Sequence, residues 1–163
     1  MEKPMNAMTT TFERDALMVI HDVARLMRTR FDQAARAYGM TRAQWVILAR
    51  LNRQPGLSQN ELATLCEVEP ITVGRLVDRL EARGMVERRA DPHDRRIRRL
   101  HLLPAAQPIL IEITRYKALL DAEITEGLDG KMRENLVDAL LHMKSKLTAE
   151  PAAPAKLAVA GSK

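Results

Sequence analysis

The sequence predicts a mainly α-helical fold with one small β-hairpin, in which a helix-turn-helix and its hairpin lie between long helices. Three observations carry this. Hydrophobic residues make up 46% of the 163 residues but aromatics only 3%, so the core is aliphatic and suits helix-on-helix packing better than a sheet sandwich. Apolar residues recur at spacings of three and four through several long stretches, the period of a helix with one buried face. Only Met85–Leu102 breaks that period, with two short strand-like runs around a polar, Pro-containing turn. At this length one well-packed domain is expected.

In the first long stretch Leu17, Ile20, Ala24, Met27, Phe31, Ala34 and Tyr38 form a helical stripe that Gly39 closes. A helix of about six turns reaches beyond a compact core and is expected to pack on a partner chain as well. Thr41 caps a second, shorter helix with Trp45, Leu48, Ala49 and Leu51, which stops before Pro55-Gly56. Ser58 and Glu61 have capping-box spacing and open a short helix with Leu62, Leu65 and Cys66 on one side. Pro70 sits where a first helical turn tolerates it, and the helix it opens runs to Arg83 and stops at Gly84. Met85–Arg89 and Ile97–Leu102 follow as strands around the 90–96 turn, and Pro104 starts a helix with the stripe Ile109, Ile113, Tyr116, Leu120, Ile124. Gly127–Gly130 breaks it, and a last helix carries Met132, Leu136, Leu140, Met143 and Leu147. The expected organisation is a flexible segment 1–11, dimerisation helices over 12–40 and 104–147, a winged helix-turn-helix lobe over 41–103, and a disordered Ala/Pro/Lys-rich tail over 148–163.

The net charge of +5 permits an anionic partner without naming one. Its placement says more: from Arg50 to Arg115 every basic side chain is Arg, and seven of them fall between Arg83 and Arg99. Arg offers a planar fork that pairs with phosphate or with the edge of guanine. On the second helix of the motif Val73, Leu76, Val77 and Leu80 share one face, and Ile71, Thr72, Arg75, Asp78 and Arg79 the other. A recognition helix needs that division, although a plain amphipathic surface helix also shows it. The hairpin decides between them. A tip carrying Arg95 and Arg96, with Arg98 on the strand behind, is narrow enough for a minor groove, and Asp94 is read as a brace that directs an Arg side chain. Asp78 is likewise read as orienting an Arg. A winged-helix protein-interaction module would want a neutral or apolar recognition surface, and a non-specific nucleoid-type binder would want diffuse Lys; the ratio of operator to random-DNA affinity separates these alternatives.

The runs Gln59-Asn60-Glu61-Leu62-Ala63, Val73 to Arg88, and Asp91-Pro92-His93-Asp94-Arg95-Arg96 resemble the MarR family of bacterial transcriptional regulators over roughly residues 12 to 147. Trp45 and Ala106-Gln107-Pro108-Ile109-Leu110 make the chain most like the SlyA-like branch. One departure is Leu102-Leu103 before Pro104, where the family usually has Leu-Thr with the Thr starting the next helix. The resemblance implies an obligate, triangular homodimer on a pseudo-palindromic double-stranded DNA operator. It places the helix around Thr72 and Arg75 in the major groove and Arg96, braced by Asp94, in the minor groove. It also implies that a small aromatic acid relieves repression from a cleft between dimerisation helices and DNA-binding lobe. His21, Arg25, Tyr38 and Trp45 are the candidate lining of that cleft, although each taken singly is read first as interface packing or surface charge.

Other classes find no support in the residues. Cys66 excludes an intramolecular disulfide, fits a reducing compartment, and beside Leu62 is read as a core thiol, not a redox sensor. His21, His93, His101 and His142 are dispersed without metal-ligand spacing. No phosphate loop, nucleophile elbow or carboxylate pair is recognisable, so neither catalysis nor a cofactor is expected. With no signal-peptide core and no apolar run of bilayer length, a cytoplasmic location without membrane association is expected.

Overall fold

The computed structural model describes residues 14–149; the segments read from sequence as a flexible start (1–11) and most of the disordered tail (148–163) lie outside them. The chain divides into two compact units, Met1–Lys117 and Ala118–Lys163. The element order is α1 (Ala16–Arg36), α2 (Arg42–Arg53), α3 (Gln59–Cys66), α4 (Pro70–Ala82), β1 (Val86–Ala90), β2 (Arg98–Leu102), a 3-10 turn (Pro104–Ala106), α5 (Gln107–Ile124) and α6 (Gly130–Thr148). Thr148, which the sequence reading assigned to the tail, still belongs to α6.

In the first unit, Asp15 caps α1 by accepting the Met18 N–H (3.0 Å). Of the expected stripe, Ile20 to Tyr38 lie half-buried along one line, but Leu17 is 69% exposed and the only buried residue of α1 is Ala35. A second line, Val19, Val23 and Leu26, is exposed. The Thr41 cap of α2 is reciprocal: Gln44 N–H donates to the Thr41 hydroxyl (3.3 Å) and the Gln44 amide oxygen accepts the Thr41 N–H (2.9 Å). That helix contributes the centre of the core through Trp45, Ile47, Leu48 and Leu51.

Ser58 and Glu61 form the expected box at the start of α3. Its buried face, however, is Leu62 and Ala63 with Cys66 partly covered, and Leu65 is turned out. At 100° per residue, positions 62, 63 and 66 fall within one sector and 65 outside it, so the expected 62/65/66 face is corrected. The helix ends at Glu67 in the left-handed region (φ 53°), a stop with no glycine to announce it. Helix α4 seats Val73, Val77 and Leu80 in the core, with Leu76 half-buried, and turns at Gly84 (φ +64°). The hairpin pairs antiparallel with Arg88 opposite Leu100 and Ala90 opposite Arg98; each strand starts one residue later than expected, and β1 runs on to Ala90. A third backbone segment, unforeseen, joins its edge: Leu100 N–H donates to the Leu57 carbonyl (2.9 Å) and Gly56 N–H to the Leu100 carbonyl (3.0 Å). The expected start of the next helix at Pro104 becomes a 3-10 turn, and Leu103 at its cap offers no side-chain hydrogen bond, the consequence of lacking a Thr there.

In the second unit α6 is capped by Asp129, which accepts the Met132 N–H (2.7 Å), and Arg133 reaches Asp121 (2.7 Å). None of its residues is buried: Met132, Leu136, Val137, Leu140, Leu141 and Leu147 are all exposed.

Candidate nucleic-acid interface

Helices α3 and α4 form the helix-turn-helix. The amide of Gln59 donates to the Pro70 carbonyl (3.0 Å), and the same amide lies 3.0 Å from where a Cβ on Gly74 would stand. A Cβ at position 74 would make the Gln59 amide shift by a few tenths of an ångström, so glycine leaves room for its bond to the Pro70 carbonyl. With Val73, Val77 and Leu80 pointing inward, Ile71, Thr72, Arg75, Asp78 and Arg79 are all exposed, as the sequence indicated.

The arginines fall into two groups. Arg88 on β1 lies along α4: Nη2 donates to Asp78 Oδ1 (2.6 Å) and to the Gly74 carbonyl (3.4 Å), and Nη1 to Glu81. Asp78 therefore orients an arginine of the wing, not Arg75 or Arg79 beside it. Arg99 on β2 binds inward too, Nε to Asp91 Oδ2 (2.7 Å) and Nη1 to Glu61 Oε2 (2.8 Å) and to the Gly56 carbonyl (3.3 Å). Arg83 donates to the Tyr38 and Gly39 carbonyls at the end of α1, and Arg89 pairs with Glu87 (Nε to Oε1, 2.7 Å). In contrast, the side chains of Arg75, Arg79, Arg95, Arg96 and Arg98 are exposed and make no ion pair or hydrogen bond with a described residue.

The turn of the wing is built by two aspartates. Asp91, 8% exposed, accepts the N–H groups of His93 (2.7 Å) and Asp94 (3.1 Å) as well as Arg99. Arg99 chiefly, then the two backbone donors, hold its carboxyl down at about 2. The same pairing raises Arg99, and Glu61 is lowered mainly by the Ser58 N–H and hydroxyl, with Arg99 adding to it. Asp94 Oδ1 accepts the Arg96 backbone N–H (2.9 Å). It thus fixes the backbone beneath Arg96 instead of the expected Arg side chain, while Asp91 holds a guanidinium. Arg99, Glu61, Arg88 and Glu81 were not singled out as site residues in the sequence. Arg99 and Glu61 are 38 residues apart, and Arg88 meets Glu81 and Asp78 only because β1 folds back on α4, so the only local signal was the first Asp of the wing motif.

A cavity of about 460 Å³ opens in the first unit between α1, α2 and α5. Met27, Phe31, Trp45 and Ile113 give it an apolar wall, and Arg28, Arg42 and Lys117 stand among its lining. The Trp45 indole N–H is buried without a partner among the described residues. Of the four residues expected to line a cleft, only Trp45 does. His21 lies a turn beyond Ala24, the lining residue nearest it on that line of α1, and Arg25 lies off that line, paired to Asp22 (3.2 Å). Tyr38 packs on Trp45 (centroids 5.8 Å apart) and donates its hydroxyl to Glu112 (2.7 Å). Burial pushes the Cys66 thiol up, which keeps it protonated.

No helix among the described residues is long and apolar enough to cross a membrane. Solved structures share the fold. The transcriptional regulator SlyA is 26% identical with a TM-score of 0.73, covering 82% of this chain and 94% of its own. The transcriptional regulator PA3341 is 29% identical with a TM-score of 0.71, covering 79% and 95%. The S. aureus MepR–DNA complex is 22% identical with a TM-score of 0.71, covering 83% and 98%. Residues 38–97, which span the helix-turn-helix and the wing turn, match the model of the MarR family. Motif, order of elements and fold agree in their likeness to MarR-family regulators, and the likeness to SlyA accords with the SlyA-like branch.

Proposed function

We propose that this chain is a homodimeric transcriptional repressor that binds a pseudo-palindromic operator in double-stranded DNA and releases it on taking up a small aromatic carboxylate. The observation that carries the reading is the division among the arginines. Arg88 and Arg99 are neutralised inside the fold, whereas Arg75 and Arg79 on α4 and Arg95, Arg96 and Arg98 around the wing have no partner among the described residues. Unpaired guanidinium groups on one helix and one hairpin tip suit phosphates and base edges, with Ile71, Thr72, Arg75 and Arg79 toward the major groove and Arg95, Arg96 and Arg98 toward the minor. MepR, which has the same fold, was solved on DNA.

Dimerisation is supported by apolar surface that the single chain leaves uncovered. In the first unit the Val19, Val23, Leu26 line of α1 is exposed, and in the second unit so are the apolar residues of α6; exposed apolar rows of this kind mark interaction surfaces. Two recognition helices on a two-fold axis would read half-sites about 10 bp apart. The effector reading rests on the 460 Å³ cavity, whose aromatic wall and three cationic side chains suit a flat anion.

Gel shift with DNA from upstream of the gene, in excess random competitor, tests the core of this reading. A shift that survives competitor is expected, together with a dimeric mass in solution. A shift that competitor abolishes overturns sequence-specific regulation. Repeating the titration with salicylate and other aromatic acids tests the effector: release by one of them, lost in Arg42→Ala, is expected, and no release by any overturns that part alone.

A further inference from the structure

Helix α4 presents one residue that does not match the chemistry of its surface. Taking 100° per residue, in the first two turns of the helix Ile71 and Arg75 lie most directly opposite the buried line of Val73, Val77 and Leu80, one turn apart. Thr72 and Arg79 fall together to one side, and Asp78 is tied down to Arg88. Arg75, Thr72 and Arg79 are all suited to polar groups. Ile71 is not, yet it is 67% exposed, among the most exposed large apolar side chains of its unit. It packs on nothing in the core, and it stands in the first turn of the helix, directly after Pro70.

The N-terminal turn of a recognition helix is the part that meets base edges, and the major groove displays one prominent apolar group, the thymine 5-methyl. An isoleucine is β-branched and stiff at χ1, so it loses little rotamer freedom on meeting such a group. Resting on the DNA-binding reading above, we propose that Ile71 is a specificity-determining residue that reads a thymine methyl in each half-site. One helical turn is about 5.4 Å and successive bases are about 3.4 Å apart, so this thymine lies within about two base pairs of the base that Arg75 addresses.

The test begins by selecting binding sites for the full-length protein from random duplex DNA. A thymine enriched at one position of both half-sites is expected. That thymine is then replaced by deoxyuridine, which deletes the methyl and nothing else. Loss of one buried methyl corresponds to about a fourfold fall in affinity per half-site for the wild type. Ile71→Ala is expected to fall by at least as much on the thymine operator and to bind thymine and deoxyuridine operators equally; Ile71→Val should keep part of the discrimination. Since Ile71 is exposed, circular dichroism of the variants should match the wild type. Equal binding of both operators by the wild type, or thymine preference undiminished in Ile71→Ala, overturns the proposal while leaving a DNA-binding regulator in place. Selection that enriches no sequence overturns the regulator reading itself, and this inference with it.

Discussion

At the scale of single residues, two aspartates three positions apart do different work, and pH separates them. Asp91 is nearly buried and its carboxyl is held down to about 2 by Arg99 and the N–H groups of His93 and Asp94. An unfolded aspartate titrates near ~3.9, so this group contributes stability that is fully present above that value and is lost as pH falls through the window from about 4 to about 2. Asp91→Asn keeps the shape but not the charge. Its melting temperature is expected below the wild type at pH 6, with the gap closing as the wild type is taken from pH 4 toward pH 2. A gap that stays constant to pH 2 would show that the carboxylate charge contributes nothing. Asp94 supports the backbone beneath Arg96 instead of binding a guanidinium, so the Arg96 side chain has no internal role to lose. Arg96→Ala should therefore melt like the wild type and elute as the same oligomer, yet bind the operator at least about tenfold more weakly. Normal operator binding by that variant would remove the wing from the interface.

Elements were legible in the sequence wherever their signals are local. The Ser58/Glu61 box, Pro70 at the start of α4 and Gly84 after it each act within a few residues, and each stands where the spacing put it. What joins the elements was not legible, because it depends on residues brought together from afar. Glu61 completes the cap of α3 and also takes Arg99 from β2, so one carboxylate fixes the start of the helix-turn-helix and the base of the wing. The cavity shows the same limit: helical spacing gave the line of α1 that faces inward, but not that α2 and α5 would set Arg42 and Lys117 there in place of His21 and Arg25. Arg88 is the corresponding strap on the other side, joining β1 to α4 through Asp78 and Glu81. Arg88→Ala would release two carboxylates beside the recognition surface, where they repel phosphate. Operator affinity should fall several-fold, and adding Asp78→Asn and Glu81→Gln to Arg88→Ala should restore part of it, a recovery that a purely structural loss would not allow. At the α3 cap itself, Ser58→Ala should cost about 1 kcal/mol in a denaturant melt.

For the whole molecule, the separation of paired from unpaired arginines fixes how binding must respond to salt. A guanidinium already neutralised by Asp78 and Glu81, or by Asp91 and Glu61, releases no counterion from DNA. Among the described arginines of α4 and the hairpin, only Arg75, Arg79, Arg95, Arg96 and Arg98 have no partner among the described residues. If all five in each protomer of the proposed dimer met phosphate, the slope of log affinity against log salt would be about −9, and any that turn to bases instead make it shallower. The net charge of +5 would not predict this, because it averages the interface with the acidic groups elsewhere. Binding measured from low to moderate salt should give a slope between about −5 and about −9 for the wild type. Arg95→Ala should lower its magnitude by up to about 2, one contact per half-site, and Arg89→Ala, whose partner is Glu87, should leave it unchanged. The same argument requires both protomers to be engaged at once. A chain cut before Met132 loses the uncovered apolar face of α6, and should run as a monomer whose salt slope is halved. A truncated chain that stayed dimeric would put the dimer contact elsewhere, and a monomer with the full slope would mean that one wing and one recognition helix hold all the phosphates.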